Sequence, residues 1–144
     1  MLAPEKIIQT LGGPQKLKRT VGSWDSLHAL ILGGLPYSTY THLLTTFKLT
    51  APEAAMIFQI PARTLARRRE SRRLRQDESD RVFRFARIAA WASDVFGSDV
   101  KAGLWLHRPN RALGNKVPLS LLGTDAGIEQ IEIVLGRLEH GILS

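Results

Sequence analysis

Cysteine is absent from the 144 residues, which removes disulfide frameworks, thiolate zinc sites, iron-sulfur clusters and cysteine nucleophiles. Long apolar runs are absent too: no stretch approaches the roughly 18 residues that a membrane-crossing helix needs. Glu5 and Lys6 interrupt the N-terminal MLAPEKIIQTLGG, so it does not read as a secretory signal. The expected setting is the cytoplasm, with no membrane partner. Strand patterning is scarce, since apolar and polar residues do not alternate over more than a few positions. Neither an internal repeat nor a low-complexity linker is visible. Hydrophobic side chains make up 44% and charged ones 23%, as in an ordinary folded protein of about one domain. Such a chain is too short for a large multidomain enzyme or a doubly wound nucleotide fold.

The net charge of +7 is informative because of where it sits. Residues 62–87 carry ten arginines against Glu70, Asp77, Glu78 and Asp80, nearly the whole excess. From Ser93 onward five basic residues meet six acidic ones. A basic middle and a neutral end read as a polyanion-binding module joined to a region with a different partner.

Apolar residues recur at spacings of three and four, so the fold class expected is all-α. Pro4 opens a short helix with Ile7, Ile8 and Leu11 on one face, and Gly12-Gly13-Pro14 ends it. A second short helix holds Leu17. Ser23 or Asp25 caps a third, with Leu27, Leu30 and Ile31 inward, closed by Gly33-Gly34. Pro36 fits the first turn of a fourth, whose stripe is Tyr40, Leu43, Leu44 and Phe47.

Thr50 with Glu53 three residues later forms a capping box, followed by Ala54, Ala55, Ile57 and Phe58. Gln59-Ile60-Pro61 breaks that helix after about two turns, and another begins near Ala62, with Leu65 facing the first. Two short helices with a tight connection, the second rich in arginine near its start, have the layout of a helix-turn-helix DNA reader. Arg63, Thr64, Arg67 and Arg68 fall on one predicted face, suited to base edges, because arginine forks onto guanine and threonine contacts base or phosphate. Arg69, Arg72, Arg73 and Arg75 are expected to contact the phosphate backbone. The next helix is predicted over Asp77–Phe96, with acids at its positive end, Gly97 as its stop and Val82, Phe85, Ala89, Ala92 and Phe96 as its core face. Arg81, Arg84 and Arg87 lie opposite and are expected to extend the basic surface; the helix itself is expected to serve dimerisation.

In the C-terminal third, Trp105 and Leu106 read as core or interface anchors and Gly114 to Pro118 as a turn. The string AxxVFG, KAxxWLxxPNxALGxxVPLSLLGTxxGIxxIxxxLGRLEHGI, over roughly residues 92–142, resembles the C-terminal toxin-binding domain of the Xre/ParS/MbcA-like antitoxins. Upstream, GLPYSTY, LTAPEAAMIFQIPARTLARRR and RLRQDESDRVFRFARI resemble the helix-turn-helix half of the same family. Asn115 stands where that family commonly has a second glycine, and asparagine tolerates positive φ.

The resemblance implies a type II antitoxin that binds operator DNA as a homodimer and represses its own operon. It also implies neutralisation of a RES-domain toxin, of a family that degrades NAD or transfers its ADP-ribose group, by obstruction of the toxin's active site. The toxin-facing residues expected on that basis are Trp105, Asn110, Arg111, Gly141, Ile142, Leu143 and Ser144, the last four as an apolar tail with a terminal carboxylate. The domain reading is 1–76 for the DNA-binding region, 77–96 for a connecting and dimerisation helix, and 97–144 for the toxin-binding domain. No enzyme is expected. His28, His42, His107 and His140 lie on separate elements without metal-ligand spacing, no phosphate-cradling glycine loop or nucleophile elbow occurs, and no cofactor is called for. The rival reading is a stand-alone helix-turn-helix regulator whose C-terminal domain dimerises or binds a ligand.

Overall fold

The computed structural model describes residues 2–141, and among these the regular structure is helical. The helices are α1 (Pro4–Thr10), α2 (Gly13–Leu17), α3 (Trp24–Gly33), α4 (Tyr37–Thr46), α5 (Ala51–Phe58), α6 (Ala62–Ser71), α7 (Gln76–Phe96), α8 (Asp99–Leu106) and α9 (Asp125–Glu139). Two 3₁₀ turns, Arg111–Leu113 and Pro118–Leu121, lie between α8 and α9. The all-α expectation holds, with the helix-turn-helix half ahead of a smaller C-terminal helical region.

Local chemistry sets most boundaries. The Ser23 hydroxyl accepts from the Ser26 amide and caps α3; Asp25, the other candidate, sits inside the first turn. Thr50 and Glu53 form the reciprocal capping box at α5. Gly97 ends α7 in the left-handed region at φ 98. Helix α7 begins one residue before the predicted start, with Arg75 as its N-cap.

Burial then fixes the architecture. Helix α7 is packed by α1, α3, α5, α8 and α9, and Val82, Phe85, Ala86, Ile88, Ala89 and Ala92 are fully shielded from solvent. A helix covered from so many sides is the spine of the fold. Phe85 sits edge-to-face against both Phe47, with centroids 5.7 Å apart, and Phe58, at 5.5 Å. Tyr40 packs on Phe58 at 5.3 Å; burial, and secondarily the neighbouring Tyr37, pushes its phenol up to about 12. Ala55, placed by periodicity on the apolar face of α5, is exposed instead.

Phe85 therefore joins α4, α5 and α7 in one aromatic cluster. Phe85→Ala is expected to lower the free energy of unfolding by about 3–5 kcal/mol. Urea denaturation would show the midpoint falling with the slope unchanged.

Candidate nucleic-acid and partner interfaces

The hinge between α5 and α6 is tight. Gln59 takes the left-handed conformation at φ 55 and its amide caps Ala55; Pro61, as the N-cap of α6, pre-sets the next helix. At about 100° per residue, α6 turns Arg63, Arg67 and Glu70 outward, and all three are exposed, as is Arg69 on the flank. Thr64 is half-buried and its hydroxyl accepts from Arg67 Nη2 at 3.4 Å. Leu65 and Arg68 face the body of the protein.

Arg68 thus departs from the predicted reading face. Its Nε donates to Glu78 Oε1 at 2.7 Å and its Nη2 to Glu78 Oε2 at 3.0 Å, a two-bond fork. The two side chains are only 14% and 6% exposed. The Arg75 amide donates to the same carboxylate at 2.9 Å. Burial opposes ionisation of Glu78, but these bonds outweigh it and hold its carboxyl below the ordinary value of 4.5. Arg68 locks α6 onto the start of α7 and so positions the helix that carries the outward arginines.

The other arginines divide in the same way. Arg72 is exposed just beyond α6, at φ 65. Arg73 is exposed as well, but its Nη1 donates to the carbonyls of Gly33 and Gly34, both at 3.2 Å. Arg81, Arg84 and Arg87 do not extend the basic surface. Arg81 Nε donates to the Phe58 carbonyl at 2.6 Å, Arg84 pairs with Asp125, and Arg87 pairs with Glu132. These three tie α7 to the end of α5 and to α9.

The C-terminal region is built against that spine. Trp105 is half-buried on Phe96, centroids 5.3 Å apart. Asn110 accepts from the Ala112 amide through its side chain, and its backbone pairs with Lys116; Arg111 beside it is exposed. Gly114 and Asn115 both take positive φ, 66 and 64, so asparagine does hold the turn where the second glycine was expected. A Cβ on Gly127 would lie 1.9 Å from the Leu121 carbonyl oxygen, so α9 packs on the second 3₁₀ turn only with glycine there. Gly141 is exposed at the end of α9; Ile142, Leu143 and Ser144 fall outside the described residues.

The described histidines stay dispersed. His107 lies 3.5 Å from Glu53 and its Nδ1 is 2.8 Å from the Gly103 carbonyl. Burial works against the Glu53 charge, but hydrogen bonds from Thr50, with His107 nearby, leave its carboxyl lowered. Among the described residues no group of three His, Asp or Glu side chains is arranged to hold a metal ion. No described helix is long and apolar enough to cross a membrane.

Two family models match this arrangement of helices. Residues 26–87 match the antitoxin Xre-like helix-turn-helix domain, and residues 92–141 match the antitoxin Xre/MbcA/ParS C-terminal toxin-binding domain. The chain belongs to the Xre family of antitoxins. It is 36% identical to Antitoxin Xre of Yersinia enterocolitica, across 77% of this chain and 87% of that protein. It is 35% identical to Antitoxin Xre of Photorhabdus laumondii, across 89% and 90% of the two chains. Antitoxin Xre of Pseudomonas putida is 37% identical, across 80% and 72%. In this Xre-family chain the helix-turn-helix match spans α3 to the first half of α7, and the toxin-binding match spans the end of α7, α8, the two 3₁₀ turns and α9.

The Arg68–Glu78 fork yields a pH prediction. A carboxyl held below its unfolded value stabilises the fold fully above about pH 4.5 and loses that contribution as pH falls through the folded value. Glu78→Gln should flatten this acid limb and lower stability at neutral pH by about 2 kcal/mol. That is below the ~3–5 kcal/mol of a fully broken buried pair, because glutamine keeps an acceptor. Thermal melts of both proteins from pH 3 to 7 would check it.

Proposed function

We propose that this antitoxin neutralises a RES-domain toxin acting on NAD and represses its own operon through α6. The observation that carries the reading is the pairing of the two matched domains in one chain, one presenting outward arginines and the other a neutral, aromatic-anchored surface. On the DNA side, Arg63 and Arg67 meet base edges, with Thr64 beside them, while Arg69, Arg72 and Arg73 hold phosphates. Arg68 acts indirectly, by fixing the helix. A single ten-residue helix covers few base pairs, so two copies bind two-fold related half-sites as a homodimer.

On the toxin side, Trp105 stiffens the domain by packing on Phe96, and Asn110 shapes the loop that displays Arg111. The segment from Gly141 through Ile142, Leu143 and Ser144 enters the mouth of the toxin's active site. Apolar side chains on a short tail suit a cleft that otherwise receives a dinucleotide, and blocking it requires no chemistry from the antitoxin.

The two activities should separate. Arg63→Ala with Arg67→Ala should cost about 1–3 kcal/mol of DNA affinity per base-reading arginine and relax base preference, yet leave rescue of toxin-expressing cells intact. Truncation after His140 should do the reverse. Cellular NAD during toxin expression is the readout: if the truncated protein protects NAD as well as the full chain, tail occlusion is wrong. If the full chain protects growth with no change in NAD, the toxin acts on something else.

A further inference from the structure

Lys18 and Arg19 precede residue 26, where the helix-turn-helix match begins, and periodicity gives them no role. The fold nevertheless brings them to the far end of α6. A cleft of about 190 Å³ is lined by Lys18, Arg19, Arg72 and Arg73, with Ser71 and Pro36 between them. No acidic side chain lines it. Among the described residues, none of the four cations pairs with a carboxylate.

The walls are fixed by hydrogen bonds to the backbone. The Leu74 amide donates to the Leu35 carbonyl at 2.8 Å and the Tyr37 amide to the Arg72 carbonyl at 3.0 Å. This close approach requires Gly34, where a Cβ would stand 2.1 Å from the Leu74 carbonyl oxygen and φ is +94. The Ser38 hydroxyl donates to the Lys16 carbonyl at 2.9 Å and moors the segment carrying Lys18 and Arg19. Arg73 is held by the Gly33 and Gly34 carbonyls. Four positive charges from two chain segments, residues 18–19 and 72–73, are thereby gathered around one acid-free recess, a local cationic field that favours an anion.

We infer that this cleft seats the sugar-phosphate backbone of duplex DNA, so that the N-terminal helices, through Lys18 and Arg19, extend the contact made by α6. The inference rests on the DNA-binding reading above. Its geometry follows from dimensions: a ten-residue helix is about 15 Å long, and the major groove is about 12 Å wide. A helix whose first turn meets base edges thus delivers its far end to the groove wall. Phosphate contacts of this kind strengthen binding to every sequence alike and carry a salt dependence.

The test uses the full chain, titrated by fluorescence anisotropy at several salt concentrations. One duplex carries the DNA immediately upstream of its coding sequence; a second, of equal length, is scrambled. Lys18→Asn with Arg19→Gln removes both charges, and asparagine tolerates the left-handed backbone of Lys18, φ +62. The slope of log affinity against log salt should fall in magnitude by about two, near 0.9 per lost phosphate contact, with both duplexes weakened by the same factor. An unchanged slope overturns the inference while leaving α6 binding in place. So does a loss confined to the upstream duplex, which would mean base reading. If the unmodified chain binds neither duplex, the DNA reading itself fails and this inference with it. Arg19→Glu, at an exposed position outside any helix, provides a second variant should the first melt early: it must weaken both duplexes, and full affinity overturns the inference.

Discussion

The structure depends on the burial of α7 from several sides at once. Twenty-one residues long, it is the element against which the N-terminal helices, α5 of the helix-turn-helix and both helices of the toxin-binding domain are packed. Its small positions make that possible: Ala86, Ala89, Ala90 and Ala92 are buried, and short side chains let neighbouring helices approach closely. Where the gap is wider, Phe85 fills it against Phe47 and Phe58. The two family domains meet on this one helix, since the helix-turn-helix match runs to residue 87 and the toxin-binding match resumes at 92. They therefore share a hydrophobic core.

Charge is organised by the same spine. The arginine excess over residues 62–87 looks in sequence like a single basic surface, but about half of it is internal wiring. Arg68 is neutralised by Glu78, Arg84 by Asp125 and Arg87 by Glu132, while Arg81 satisfies the carbonyl at the end of α5. A buried or half-buried guanidinium needs such partners, because leaving it unpaired away from water is costly. What faces solvent is Arg63, Arg67, Arg69, Arg72, Arg73 and Arg75, joined at one edge by Lys18 and Arg19. Glu70 sits among them, an exposed acceptor on the outward face of α6. That carboxylate interrupts the run of positive charge on the outward face of α6.

Most helices were legible because their ends are chemically marked. Ser23, the Thr50–Glu53 box and Gly97 each supply a donor, an acceptor or a backbone freedom that their neighbours lack, and the apolar spacing between them leaves little choice of face. Legibility failed on α6, where Leu65 is the one large apolar side chain and arginines surround the helix. Period alone could not tell which arginine turns inward; Glu78, ten residues along and across a turn, decides it. It failed again for the Lys18 and Arg19 cleft, which exists only because Gly34 admits the backbone of residues 72–74. Contacts of that range leave no trace in local pattern. The turn at Gly114 and Asn115 was legible for the opposite reason, since both conformational demands are met within five residues.

The hinge between α5 and α6 shows how closely the two halves depend on each other. Gln59, the left-handed residue between α5 and α6, donates through its side chain to the carbonyl of Gly123 at 2.8 Å. Gly123 comes so near that a Cβ there would stand 3.0 Å from the Met56 carbonyl oxygen. From the other side, Arg81 of α7 binds the Phe58 carbonyl. The last carbonyls of a helix are ordinarily left to water or to a local cap; at α5 one of them is claimed by the spine, and the turn that follows is claimed by the toxin-binding domain. The orientation of α6 is consequently set from both directions. The Pro118–Leu121 turn packs on α5 while α8 and α9 pack on that turn, so the two matched domains are built on shared contacts beside the hinge.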